Sequence, residues 1–171
     1  MTLEASQTGT PAHDRFADLK ASDLTDQEKR TVIELALSVL AARHRRGRAL
    51  ESPKAARSYL QLKCADYERE VFGCLFLDTR HRVLEWAELF AGSIDSATVH
   101  PRVVVQRALA VNAAAVVIFH NHPSGVAEPS AADQSITRRL VDALALVDVR
   151  VLDHLVVGHE ACTSMAELGL L

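Results

Sequence analysis

The apolar run Ala113-Ala114-Ala115-Val116-Val117-Ile118-Phe119 ends in His120-Asn121-His122, and this ending limits what the chain can fold into. The run predicts a buried strand. Residues two apart on a strand share a face, so His120 and His122 can converge on one point. The loop from Pro123 to Pro129 then turns the chain back, and Ser130 and Asp133 open a helix, with Asp133 one turn in. A strand end, a Pro/Gly loop and a helix start thereby bring His120, His122 and Asp133 into one cleft. Two imidazoles and a carboxylate are a ligand set that leaves zinc one open position for water. The predicted cofactor is one Zn2+ per chain, although manganese and iron accept the same ligands.

Each piece alone also has a purely structural meaning. Ser130 with Asp133 fits a helix N-cap with an acid at N3, and a single histidine is more often packed or exposed than a ligand. The ordered set of two histidines, seven residues, Ser130, two residues and Asp133 favours metal.

At 171 residues the length suggests one domain. A net charge of −3 provides no global basic field for nucleic acid. Cys64, Cys74 and Cys162 form no CxxC pair, which fits free thiols in a reducing cytoplasm. No apolar signal core opens the chain, and no apolar stretch suggests a membrane span.

Residues 1–22 are read as a flexible tail and 23–50 as an N-terminal helical region. Thr25 and Glu28 form a capping box there, and Val32, Leu35, Ala36, Val39 and Leu40 recur at helical spacing. The basic cluster Arg43 to Arg48 closes this helix, with Gly47 as a C-cap. From residue 51 to 171 the order is a helix opening at Ser52-Pro53, a hairpin of 71–77 and 82–90, and a helix from His100-Pro101 to Ala110. The histidine strand follows, then a helix over 131–146, a strand over 149–157 and a short strand at 162–164. Such an order gives an α/β fold with a mixed, partly antiparallel sheet flanked by helices.

The histidine-serine-aspartate set resembles the JAMM motif of MPN-type zinc hydrolases. Glu70 to Asp78, Gly92 to Ser96, His100-Pro101-Arg102, His120 to Gly125 and Val151 to Gly158 resemble the RadC branch, over about residues 52–171. The resemblance implies the JAMM/MPN architecture, with its cytidine-deaminase-like layout. RadC proteins usually carry a longer N-terminal helical module, here reduced or missing. Deamination itself is disfavoured, because the chain lacks HxE and PCxxC.

By the same resemblance Glu70 is the general base, with Glu68 as fallback, and Ser130 donates a hydrogen bond to the tetrahedral oxyanion. The implied activity is that of a zinc metallopeptidase cleaving an amide or isopeptide bond in a protein or peptide substrate. The alternatives are a nucleic-acid-associated accessory protein, resting on the Arg43–Arg48 cluster, and a non-catalytic MPN interaction module. A homodimer is compatible with any of these readings. Asn121 is assigned to structure, and His154, beside Asp153, is read as a half-buried strand histidine, with support of a metal ligand as the alternative.

Overall fold

The computed structural model describes residues 19–43, 53–64, 67–92 and 99–171. The expectations for residues 1–18, Gly47, the basic residues from His44 to Arg48, Ser52 and residues 93–98 lie outside these.

Five strands form one sheet in the order β2-β1-β3-β4-β5. They are β1 (Val71–Leu77), β2 (Val83–Ala91), β3 (Ala115–Asn121), β4 (Arg150–Val157) and β5 (Cys162–Ser164). β3 pairs antiparallel with β1 and parallel with β4, so the sheet is mixed as expected. The helices are α1 (Asp26–Arg43), α2 (Pro53–Cys64), α3 (Pro101–Ala110) and α4 (Ala131–Ala145).

β1 and β3 are buried at every position, which explains their unbroken apolar sequence. Alternate residues go to opposite faces. Phe72, Cys74, Phe76, Val116 and Ile118 pack against Val104 and Ala108 of α3 and Ile136, Leu140 and Leu144 of α4. Leu75, Leu77, Val117 and Phe119 pack with Leu60 and Cys64 of α2. Each Val, Leu, Ile or Phe among them contributes about 1.5–3 kcal/mol when fully buried. On the α2 side, Phe119 stacks on Trp86 with centroids 4.2 Å apart. Gly73 makes room for that stack, because a Cβ there would lie 2.3 Å from the Phe119 ring.

At the N-terminal end, Thr25 and Glu28 form the expected capping box. The Thr25 amide donates to Glu28 Oε2 at 2.8 Å, and the Glu28 amide donates to Thr25 Oγ1 at 3.3 Å. The helical spacing of Val32, Leu35 and Val39 does produce a helix, but these three side chains remain about half exposed. Among the described residues, no helix is long and apolar enough to cross a membrane. Cys64, Cys74 and Cys162 are free. Burial pushes the thiols of Cys64 and Cys162 up to about 12 and raises Cys74 as well, which leaves them unreactive.

Candidate metal centre

β3 runs two residues beyond the apolar run, so His120 and Asn121 belong to the strand and His122 follows it. The strand pairing explains this extension: Phe72 lies opposite His120, and Val157 opposite Asn121. The amide of His122 still donates to the Val157 carbonyl at 2.8 Å. Beyond it, the loop closes on the turn after β4, where the His159 amide donates to the Gly125 carbonyl at 3.1 Å.

α4 begins as the sequence predicts. Ser130 is its N-cap and Asp133 the N3 acid of a complete capping box. The Ser130 amide and hydroxyl both donate to Asp133 Oδ2 at 2.7 Å, and the Asp133 amide donates to Ser130 Oγ at 3.1 Å. The capping role and the candidate ligand position therefore fall on one residue. Burial acts to raise the Asp133 carboxyl, while the hydrogen bonds it accepts from the Ser130 amide and hydroxyl act to lower it.

The three candidate ligands come together. His120, His122 and Asp133 each offer one atom within 4.8 Å of the others. His120 Nε2 lies 2.9 Å from His122 Nε2 and 3.3 Å from Asp133 Oδ1. His122 Nε2 lies 3.7 Å from Asp133 Oδ2.

Hydrogen bonding shows what this cluster lacks. His122 Nδ1 is 2.7 Å from the Val126 carbonyl, which can only accept, so Nδ1 carries the proton and a neutral His122 presents a bare Nε2. Asp133 Oδ1 is buried and accepts no hydrogen bond. A bare nitrogen and a buried, orphaned carboxylate oxygen drawn into one cluster are costly without a cation to share. The donor set, nitrogen with carboxylate oxygen, suits zinc. His120, His122 and Asp133 therefore fit a divalent metal.

Two residues complete the surroundings. His154, expected to be a half-buried strand histidine, is wholly buried, and its Nε2 lies 2.8 Å from His120 Nδ1. Burial, reinforced by His120, pushes its pKa well below the usual histidine range, so it is neutral. Its Nδ1 lies 2.6 Å from Thr137 Oγ1, which contacts the Asp133 carbonyl at 2.5 Å. Thr137 went unnoticed in the sequence. Its spacing of four residues from Asp133 on one helix was the available signal.

Glu70 immediately precedes β1. Continued by two residues, the β1–β3 register puts Glu70 opposite His122. Asn121 holds it there. Its Oδ1 accepts from the Val71 amide at 2.7 Å, and its Nδ2 donates to the Arg69 carbonyl at 3.1 Å, so it clamps the backbone on both sides of Glu70. Glu68, the fallback base, lies in an exposed bend before the strand. Asn121→Ala leaves the buried Val71 amide unpaired and is expected to cost about 1–3 kcal/mol in urea unfolding. Its zinc content should stay at the wild-type level, because the clamp holds no ligand. A change below about 0.5 kcal/mol would show that the clamp is not needed.

The fold and the site together define an α/β domain with a cluster of two histidines and one aspartate, able to hold a metal ion, at the end of its central strand. The chain belongs to the RadC-like JAB domain family, whose model matches residues 50–170. It is 63% identical over 138 residues to a UPF0758 protein of Ectopseudomonas mendocina, covering 81% of this chain and 62% of that protein. A UPF0758 protein of Stutzerimonas stutzeri is 54% identical over 167 residues, 98% of this chain and 72% of the relative. One from Vibrio cholerae is 52% identical over 155 residues, 89% of this chain and 98% of the relative. The chain thus spans about three fifths of the Ectopseudomonas relative and nearly all of the Vibrio one.

Proposed function

We propose that this chain is a zinc-dependent hydrolase of the metallopeptidase type, cleaving an amide or isopeptide bond in a protein or peptide. The reading rests on one observation: the bare Nε2 of His122 and the orphaned Oδ1 of Asp133 converge with His120 beside β1, which Glu70 immediately precedes. A zinc ion held by His120, His122 and Asp133 supplies Lewis acidity, which makes a water acidic enough to lose a proton near neutral pH.

The chain's own residues do the rest. Glu70 takes the proton of the attacking water and passes it to the leaving nitrogen, the usual work of a carboxylate placed near such a centre but not in it. Ser130 now spends its hydroxyl proton on Asp133 Oδ2. Rotating that hydroxyl towards the substrate would let it donate to the developing oxyanion, while the Ser130 amide keeps its own bond to Asp133. The unreactive thiols are compatible with a reducing cytoplasm.

The test begins with metal content, measured on protein purified without added metal or chelator. About one zinc per chain is expected in the wild type and none in His122→Ala. Peptide and isopeptide substrates are then compared in the wild type and Glu70→Gln, where loss of the base is expected to slow turnover by about 10²–10⁴-fold. A wild-type chain that neither contains zinc nor takes it up on titration would overturn the reading.

A further inference from the structure

The buried contacts behind His120 settle where its proton sits. Thr137 Oγ1 and the Asp133 carbonyl oxygen are 2.5 Å apart, a separation that requires a proton between them. Only the Thr137 hydroxyl can supply it. With that proton committed, the 2.6 Å contact between Thr137 Oγ1 and His154 Nδ1 must be a bond donated by His154. His154 is wholly buried and its ring nitrogens meet only Thr137 and His120, with no carboxylate to balance a charge, so its Nε2 is bare and the 2.8 Å contact must be donated by His120 Nδ1. His120 Nε2 is left bare, 2.9 Å from the bare Nε2 of His122, a meeting of two lone pairs that a cation bound by both would relieve.

We propose that Thr137 and His154 are positioning residues, forming a chain from the Asp133 carbonyl that fixes His120 as its Nδ1–H tautomer, with Nε2 free for metal. This rests on reading His120, His122 and Asp133 as a metal centre. The chain is a lock and not a proton path, because it ends on a helix carbonyl and all of its members are wholly buried. Phe72 sets the ring planes. It lies stacked near His120, with centroids 6.4 Å apart, and edge-on to His154 at 5.7 Å. Asp133 therefore shapes the site from both ends, its carboxylate offered to the metal and its carbonyl terminating the chain that bares His120. A metal-ligating histidine is characteristically fixed by a partner on its other nitrogen. Here that partner is a second histidine, whose own tautomer a threonine must set.

Two readouts test this. Long-range proton–nitrogen correlation spectra of the metal-free protein, labelled at histidine, report each ring's tautomer. The wild type is expected to show His120 as Nδ1–H, and Thr137→Val, which keeps the shape but removes the hydroxyl, is expected to lose that preference. Zinc affinity, measured by chelator competition, is expected to fall about 10–100-fold in Thr137→Val and His154→Leu. Thr137→Ser should restore it. His154→Gln should recover most of it, because its amide can accept from His120 and donate to Thr137. If His154→Leu does not fold, the valine and serine variants decide. Wild-type zinc affinity and an unchanged His120 tautomer in Thr137→Val would overturn the proposal while leaving the hydrolase reading intact. A wild type that binds no zinc would overturn the hydrolase reading, and the spectra would still decide the tautomer.

Discussion

Saturating zinc is expected to raise the thermal midpoint of the wild-type chain by about 5–10 °C and to leave Asp133→Asn unmoved. Ligand at a hundred times its dissociation constant stabilises the folded state by about 2.7 kcal/mol. In a domain of this size each kcal/mol moves the midpoint by about 2–4 °C. Asparagine keeps the shape of Asp133 but cannot act as an anionic ligand, so the shift should vanish. Without metal the variant should unfold within about 1 kcal/mol of the wild type. It loses a charge at the N-terminus of α4, worth about 0.3–1 kcal/mol, but gains an amide N–H that can donate to the bare histidine nitrogens. Equal zinc-dependent shifts in the two proteins would show that Asp133 is not a ligand.

The second large effect is expected at Gly158, which lies far from Asp133 in sequence. A Cβ on this residue would fall 2.3 Å from the Gly125 carbonyl oxygen and 3.0 Å from the Ala127 nitrogen. Both are backbone atoms, so Gly158→Ala must push the 123–129 loop off the turn after β4. That loop supplies the Val126 carbonyl that holds His122 Nδ1. The variant is expected to bind zinc about 10–100-fold more weakly and to lose about 1–3 kcal/mol of stability in urea. Unchanged zinc affinity would mean that the loop does not orient His122.

Much of this candidate site is legible in the sequence because its three clustered side chains are local. His120 and His122 close an apolar run, and Asp133 follows a helix cap that Ser130 announces. What escaped was set by pairing between distant segments. His154 looked like an ordinary strand histidine until the register placed it opposite Ile118, two residues short of His120. Asn121 could be assigned to structure, but its two bonds around Glu70 depend on β1 lying beside β3. At the N-terminal end, periodicity and a capping box located α1, yet could not tell that Val32, Leu35 and Val39 would stay exposed. Helical spacing reports a face and not what covers it.

The placement of Asn121 between the two histidines has a consequence for assembly. His120, His122 and Asp133 belong to one short strand–loop–helix stretch, whose closure costs little chain entropy. Glu70 arrives only when β1 docks on β3, and the side chain that secures it is the one flanked by the ligands. On the proposed reading, gathering the ligands and placing the base are thus separate events, the first within one strand–loop–helix unit and the second dependent on the pairing of β1 with β3.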